Sequence, residues 1–235
     1  MEYEDESIVV INKSRFTHCV AGRSTAAVNC FIEKHFPECK GIGGLQGEAG
    51  LTNRLDFETS GIVVVAKSTA IWQDWCSSFR QGEVQKEYLA LVQGYFRTKQ
   101  QVRSFLGSRY RGSGKVTVST TPKSRFLEAT SMLYPVASSS AKDISLIRVV
   151  TNSGRRHQVR VHCAEIGFPL SGDTLYCKPP FDKPPFDELQ IENGTNSFFL
   201  HAWKISRGTF ELKAHLPADF IEILQRYNLE SPEIE

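Results

Sequence analysis

The stretch LTNRLDFETSGIVVVAKS, residues 51–68, decides the fold class and also raises the question of function. Its second half contains the uninterrupted apolar run 62–66, and a short run of this kind predicts a strand that is buried on both faces. Its first half places the carboxylate of Asp56 between Arg54 and Phe57, just ahead of that strand. The stretch therefore predicts a central strand with an acidic group at its entrance.

The rest of the chain mixes strands and helices without a regular βαβ rhythm, which favours the α+β class with a mixed sheet. Short apolar runs and apolar alternation predict strands over residues 8–11, 84–92, 144–151, 198–203 and 209–214. Helical spacing of apolar residues predicts helices over residues 24–35, 69–81, 155–166 and from 217 onward. Glycines, serines and basic residues indicate hairpins and loops between residues 97 and 140.

Length and composition are those of a soluble globular protein. The chain has 235 residues, of which 40% are apolar, and no apolar run approaches the roughly 20 residues needed to span a bilayer. The acidic N-terminus does not resemble a signal peptide. The six cysteines are scattered without a CxxC pair, which favours free thiols over disulfides or a metal site. We therefore expect a cytoplasmic monomer that binds no metal and no membrane and needs no protein partner.

Charge is distributed unevenly although the net charge is only +2. Residues 89–127 contain no Asp or Glu, whereas they contain Arg97, Lys99, Arg103, Arg109, Arg111, Lys115, Lys123 and Arg125. Such a segment is typical of a polyanion-binding face, and a solvated basic hairpin is the alternative. The pentapeptide KPPFD occurs twice in succession over residues 178–187, which predicts a stiff surface loop.

Three segments contain side chains that could carry chemistry, namely NRLDF (53–57), QKEYLALVQG (85–94) and GRRHQVRVH (154–162). Each has a structural alternative. Asp56 could close a turn, Tyr88 could be a core aromatic, and the basic side chains of the third segment could be solvated.

The third segment is the hardest to explain by structure alone. If its helix begins at Arg155, then Arg155 and Arg156 lie at the positive end of the helix dipole, where a cation costs about 0.3–1 kcal/mol. Their position therefore predicts an anion opposite them, either a phosphate or a carboxylate such as that of Asp56.

The segments NRLDFETSGIVVVAKS, QKEYLALV, SGRRHQVRVHCAEIGFPLSGDTLY and FLHAWKI occur in this order. In the sequence and the order of these segments, the chain resembles the RluA-type pseudouridine synthases. The first pattern of that family is H-R-L-D-x-x-T-S-G and the third is G-R-x-H-Q-[IL]-R-x-H. The matches extend from about residue 8 to residue 214. The resemblance implies one catalytic domain, residues 1–235, without a separate N-terminal RNA-binding module. It also implies a mixed, mostly antiparallel, bisected sheet with flanking helices and loops.

The resemblance implies an enzyme that isomerises uridine in tRNA or rRNA to pseudouridine, with no cofactor. It implies that Asp56 is the catalytic carboxylate, that Arg160 pairs with it and that Tyr88 stacks on the base. Arg54 would fill the space left by the flipped uridine. Further substrate contacts are expected from Arg155, Arg156, His157, Gln158, His162 and Leu200. Contacts with the RNA backbone are expected from Arg109, Arg111 and Lys115.

Two positions depart from the family pattern. Asn53 replaces the usual His, and Phe57 replaces a polar or basic residue. Because both flank Arg54 and Asp56, a non-catalytic RNA-binding or RNA-remodelling protein on the same fold is the main alternative. A nucleoside-hydrolysing or sugar-hydrolysing enzyme is a further one, and it would require a second carboxylate, for which Glu58 is the nearby candidate.

Overall fold

The computed structural model describes residues 1–22, 26–44, 47–108, 110, 112–139, 143–177 and 198–230. The strands within these ranges are β1 Tyr3–Glu4, β2 Ile8–Lys13, β3 Ser60–Ala66, β4 Gln85–Gln93, β5 Gln100–Gly107, β6 Thr117–Ser119, β7 Leu127–Ser139, β8 Ile144–Thr151, β9 Leu200–Arg207 and β10 Phe210–Lys213. The helices are α1 Val28–His35, α2 Thr69–Gln81, α3 Gln158–Glu165 and α4 Ala218–Arg226. The α+β class is confirmed.

The chain folds into two compact units. The first comprises residues 1–86 and 201–217, and the second comprises residues 87–200 and 218–235 as far as they are described. In the first unit the strand order is β1-β2-β3-β9, and β10 pairs with β9. The pairing of β3 with β9 is parallel, whereas β1–β2, β2–β3 and β9–β10 are antiparallel. This is the mixed, mostly antiparallel arrangement that was predicted.

Strand β3 is central, as its continuous apolar run predicted, and all seven of its residues are buried. Alternate residues of β2 and β3 enter two different cores. Val9, Ile11, Val63 and Val65 pack with Ile32 of α1. Ile8, Val10, Ile62 and Val64 pack on the other face with Trp75 of α2. A strand covered on both faces needs apolar side chains at every position, which explains the run.

The start of β3 requires a glycine. Gly61 has a φ of +113°, and a Cβ atom added there would lie 2.3 Å from the carbonyl oxygen of Ala202 on β9. Any side chain would push the two parallel strands apart. The glycine in the TSG motif thus preserves the strand pairing that follows the Asp56 loop.

Helix α2 has the ends that its sequence predicted. The hydroxyl of Ser68 accepts a hydrogen bond from the Ile71 amide at 3.3 Å. Gly82 ends the helix in the left-handed region with a φ of +76°.

Helix α1 differs from its prediction, because it begins at Val28 and not near residue 24. Ala27 is extended and forms a β-bridge with His18, so its backbone is already used in a pairing that is distant in sequence. The buried side of α1 contains Val28 and Ile32, whereas Phe31 is 44% exposed.

The second unit contains the strands in the order β4-β8-β7-β5-β6. The pairs β8–β7, β7–β5 and β5–β6 are antiparallel. Helix α3 packs Val159 and Cys163 into the core that the strands form with Leu133, Val149 and Phe198. Among the described residues, no helix combines the length and the apolar character that crossing a membrane requires.

A polar network lies beneath α3 in the second unit. His162 has no exposed surface, and its two ring nitrogens bond the hydroxyls of Ser131 at 2.9 Å and Ser104 at 3.1 Å. Burial lowers the pKa of His162 from 6.5 to about 4, because the interior disfavours the imidazolium.

This burial predicts a loss of stability in mild acid. Between pH 6.5 and 4 the unfolded chain binds a proton at His162 and the folded chain does not, so stability falls as the pH falls through that window. Between pH 7.5 and 5 we expect the free energy of unfolding to fall by about 2 kcal/mol from this residue. Urea denaturation of wild type and His162→Gln at both pH values measures how much His162 contributes to this change in the free energy of unfolding. An equal pH slope in the variant would contradict the assignment.

Candidate active site

The loop that carries Asp56 runs beside β3 and is fastened to it. The backbone amide and the hydroxyl of Thr52 both donate to the carbonyl oxygen of Val64, each at 2.9 Å. The side-chain oxygen of Asn53 accepts from the Val64 amide at 2.9 Å, and its amide nitrogen donates to the Ile62 carbonyl at 3.2 Å. Asn53 therefore bonds β3 as a paired strand would, which gives this departure from the family pattern a structural role.

Two further contacts hold the residues next to the carboxylate. The thiol of the buried Cys19 donates to the carbonyl oxygen of Leu55 at 3.5 Å, and its sulfur accepts from the Leu55 amide at 3.3 Å. The carbonyl oxygen of Asp56 accepts from the Thr59 amide at 3.1 Å, which closes a turn. Asp56 itself is half-buried. Its backbone is thus fixed on both sides, and the residue is not fully enclosed by the fold.

A buried lysine lies near the same loop. Lys13 is 1% exposed, and its ammonium group donates to the carbonyl oxygens of Thr17 at 2.9 Å, Ser14 at 3.0 Å and Phe57 at 3.3 Å. Burial lowers the pKa of Lys13 to about 8, while the charge of Asp56 acts in the opposite direction. Lys13 therefore connects the end of β2 to the turn after Asp56 and supplies positive charge near the carboxylate.

Sequence reasoning missed Lys13, although a signal was present. The residue continues the inward alternation of Val9 and Ile11, and a charge at an inward position of a strand needs a special partner.

We expect Lys13→Met to destabilise the protein by about 1–3 kcal/mol, because three backbone carbonyls lose their donor. The turn that follows Asp56 would also lose its anchor, so any reaction rate that depends on the Asp56 carboxylate should fall at least about tenfold even where the variant is fully folded. Thermal denaturation and single-turnover assays below the melting temperature measure the two effects. The exposed Lys40→Met serves as control. A stable Lys13→Met variant of wild-type activity would contradict this role.

Arg54 and Phe57 are both exposed on the Asp56 loop. The ring of Phe57 packs edge-on against Phe16, with ring centroids 5.9 Å apart. It packs in a tilted arrangement against His18, with ring centroids 4.5 Å apart. Phe57 is thereby fixed as an aromatic surface next to Asp56, where the family usually has a polar residue. An apolar ring at this place offers stacking instead of hydrogen bonding.

In the second unit, Tyr88 is a half-buried residue of β4 that packs against the core cluster containing Ala90 and Val92. Leu200, at the start of β9, is buried in that same cluster.

Arg160 forms a buried bidentate ion pair that the sequence analysis did not predict. Its Nε donates to Asp173 Oδ2 at 2.7 Å and its Nη2 donates to Asp173 Oδ1 at 2.9 Å. Asp173 Oδ1 also accepts from the amides of Leu175 and Tyr176 at 2.9 and 3.3 Å. The guanidinium carbon lies 4.3 Å from the ring centroid of Phe198. These contacts fix the plane of the guanidinium with two of its five N–H groups, and pairing of Arg160 with Asp56 stays a prediction.

Asp173 and Tyr176 are the second and fifth residues of the motif GDTLY. The Tyr176 hydroxyl accepts from the Val116 amide at 2.8 Å and bonds His157 Nδ1 at 2.8 Å. Lys115, which is exposed, lies with its ammonium 5.5 Å from the Tyr176 ring centroid. Tyr176 thus joins Lys115 and the start of α3.

The helix that follows Arg155 and Arg156 starts later than predicted, which corrects the argument about its dipole. Helix α3 begins at Gln158, and His157 precedes it in the left-handed region with a φ of +54°. Arg155 and Arg156 therefore lie outside the first turn. Arg155 Nε donates to the carbonyl oxygen of Glu128 at 3.1 Å. Arg156 donates to the carbonyl oxygens of Ser113 and Gly114 at 2.7 and 2.8 Å.

Gln158 is buried, and its side chain is used within the fold. Its amide nitrogen donates to Ser131 and Thr151 hydroxyls at 2.9 Å each, and its oxygen accepts from the Ser153 hydroxyl at 3.0 Å. Like His162, it holds α3 against the strands of its unit.

Three of the predicted features lie outside the described residues, namely Arg109, Arg111 and the KPPFD repeat at 178–187. All six cysteines are described, and no two of them form a disulfide bond in the structure. Within the described ranges, no group of three or more His, Cys, Asp or Glu side chains is arranged to hold a metal ion.

The family model that describes RNA pseudouridylate synthases matches residues 7–165 of the chain, which include Asp56, Tyr88 and Arg160. Ribosomal large subunit pseudouridine synthase D of Blochmanniella floridana is 28% identical over an alignment of 248 positions, gaps included. The alignment covers 94% of this chain and 70% of that protein. Ribosomal large subunit pseudouridine synthase C of Escherichia coli is 30% identical over 207 residues, which cover 85% of this chain and 59% of that protein.

Two solved human structures share the fold. RNA pseudouridylate synthase domain containing 4 superposes with a TM-score of 0.73 at 21% identity, covering 99% of this chain and 94% of that chain. RNA pseudouridylate synthase domain containing 1 superposes with a TM-score of 0.69 at 22% identity, covering 95% and 84%. The family match over residues 7–165, together with the likeness to the two ribosomal large subunit pseudouridine synthases, shows that the chain belongs to the RluA type of the RNA pseudouridine synthase family.

Proposed function

We propose that this protein isomerises specific uridines in structured RNA to pseudouridine and that Asp56 is its catalytic carboxylate. The observation that carries the proposal is the Asp56 loop itself. Within the segment that matches the family, β3 and the buried Lys13 hold the loop, and Asp56 is only partly buried. A group fixed in this way is suited to attack one defined atom, since reaction geometry contributes strongly to rate.

The reaction leaves the atomic composition of the nucleotide unchanged. The bond from C1′ of the ribose to N1 of uracil breaks, the base rotates, and a new bond forms from C1′ to C5. The hydrogen on C5 leaves as a proton, and N1 gains one. An ionised carboxylate is the nucleophile that such a sequence requires, attacking either the sugar or the activated ring.

Arg160 and Tyr88 are the proposed partners of Asp56. The two bonds to Asp173 fix the orientation of the Arg160 guanidinium, and the proposal pairs this group with the Asp56 carboxylate. An arginine within about 4–6 Å keeps a carboxylate ionised and orients it. Tyr88 would stack on the extruded uracil and remove or relay the C5 proton.

Extruding a uridine from a helix costs a few kcal/mol, and the proposal assigns part of the compensation to Arg54 and Phe57. Both side chains are exposed on the Asp56 loop, Arg54 as a cation and Phe57 as an aromatic surface. Arg54 would occupy the space that the flipped base leaves. The two relatives described above are named ribosomal large subunit pseudouridine synthases. Large-subunit rRNA is therefore the first substrate to test, and tRNA is the second.

The proposal is tested with RNA transcripts that carry tritium at C5 of uridine. Because forming the C1′–C5 bond expels the C5 hydrogen, the pure protein should release tritium into water and leave the RNA backbone intact. Binding of the transcripts without tritium release would support the non-catalytic RNA-binding alternative. Release of free uracil would instead indicate a hydrolase.

A further inference from the structure

The second unit contains a cavity of about 640 Å³ that the proposed reaction does not use. It lies where the end of β5, the segment around Val116, the start of β7 and the turn before α3 meet. Leu106, Val116 and Leu127 supply apolar lining. Cavities of this size and character typically accept small organic groups.

The polar lining of this cavity is cationic. Arg125, Arg155 and Arg156 all contribute to it, and none of the residues described as lining it is acidic. Arg155 and Arg156 are held by backbone carbonyls, which are neutral, so these bonds orient the guanidinium groups and leave their positive charge in place. Three guanidinium groups on one cavity favour a phosphate, which arginine binds in a bidentate way.

Tyr110 supplies the aromatic component. It lines the same cavity and is 68% exposed, so its ring is accessible to a ligand in the cavity. An exposed ring beside cationic groups is the arrangement that single-stranded nucleic acid binds, with a base on the ring and the phosphate on the arginines.

We propose that this cavity binds one nucleotide of the RNA that is not the reacting uridine, with the base against Tyr110 and the phosphate against Arg125 and Arg155. The inference rests on the proposed function only in taking RNA as the ligand. It adds a second recognition point, through which the protein could select a uridine by what lies elsewhere in the RNA. Neither Tyr110 nor Arg125 belongs to the residues that carry the chemistry.

The base contact is tested by the dissociation constant for fluorescein-labelled transcripts of large-subunit rRNA fragments and of tRNA. Tyr110→Ala should weaken binding about 5- to 150-fold, which corresponds to one lost base stack. Tyr110→Phe should change it less than about twofold because the ring is kept. Tyr95→Ala is the matched control, since Tyr95 is an exposed tyrosine of the same unit outside the cavity. Equal affinities for Tyr110→Ala and Tyr95→Ala would overturn the base contact.

The phosphate contact is tested by salt dependence. The slope of log affinity against log salt is negative, and Arg125→Ala should reduce its magnitude by about one. Arg226→Ala, on the exposed side of α4, should leave the slope unchanged. An unchanged slope in Arg125→Ala would overturn the phosphate contact. Neither variant removes a group from the core, since both side chains are exposed.

Catalytic assays separate this inference from the proposed function. In an active enzyme Tyr110→Ala should raise KM and leave kcat unchanged, because the contact is made equally before and during reaction. If the wild type released no tritium but Tyr110→Ala bound RNA more weakly, the proposed reaction would be refuted and nucleotide binding in the cavity would be supported. If the wild type were active and Tyr110→Ala left KM unchanged, only nucleotide binding in the cavity would be refuted.

Discussion

Replacing Asp56 with asparagine is expected to lower the rate of pseudouridine formation at least about a thousandfold, because an amide has the shape of the carboxylate but is not a nucleophile. RNA affinity should change less than about threefold and the melting temperature by only a few degrees, since the loop is held by Asn53, Cys19 and Lys13. Single-turnover tritium release and fluorescence anisotropy measure the two quantities.

Glu58→Gln is the matched control for this experiment. Glu58 is the neighbouring carboxylate of the same loop and is also half-buried, yet the proposal gives it no chemical role. The Glu58→Gln variant should keep its rate within about threefold of wild type. If Glu58→Gln were inactive and Asp56→Asn active, the acid would have been assigned to the wrong residue.

The second large effect is expected at the buried ion pair. Asp173→Ala should lower the free energy of unfolding by about 3–5 kcal/mol, because it removes the buried carboxylate that binds the guanidinium of Arg160 through two hydrogen bonds. It also removes the acceptor for the amides of Leu175 and Tyr176. Urea denaturation at neutral pH measures the loss, and the pure variant should be far less active even under conditions where it is folded.

An exposed ion pair in the same unit provides the comparison. Arg103 and Glu128 pair at the surface, where water screens the charges, so Glu128→Ala should lower the free energy of unfolding far less than Asp173→Ala. Asp173→Asn, which keeps the shape and most acceptors, should fall between the two. Equal losses for Asp173→Ala and Glu128→Ala would show that the Arg160–Asp173 pair contributes little to the fold.

The elements that the sequence predicted well are those whose signals are local. Strand β3 follows from five consecutive apolar residues, and α2 follows from Ser68 at one end and Gly82 at the other. Strand β8 was predicted with the bounds that it has, Ile144–Thr151. In each case neighbouring residues determine both the conformation and the burial, so no knowledge of the rest of the chain is needed.

The features that the sequence did not predict depend on partners distant along the chain. Helix α1 begins late because the backbone of Ala27 pairs with His18. Lys13 is buried because a turn 44 residues away supplies a carbonyl oxygen for it. Likewise, Arg160 finds Asp173 only after the chain has turned beyond α3. Side-chain partners of this kind are set by tertiary structure, and a single sequence contains no periodic signal for them.

The two departures from the family pattern acquire different meanings. Asn53 is bonded on both sides to β3, so its role is to position the loop. Phe57 remains 41% exposed beside Asp56, where it can contact RNA. Both departures favoured a non-catalytic protein, but the bonds of Asn53 to β3 give that residue a structural role, so only Phe57 still favours that alternative.

The central claim is that this chain makes pseudouridine through Asp56, and nucleotide-resolution mapping of pseudouridine tests it most directly. Unmodified rRNA and tRNA transcripts are incubated with pure wild type, Asp56→Asn or Glu58→Gln. The account predicts new pseudouridine at one or a few defined positions with wild type and Glu58→Gln, and none with Asp56→Asn. Conversion by Asp56→Asn at the wild-type rate, or no new site with wild type, would contradict it.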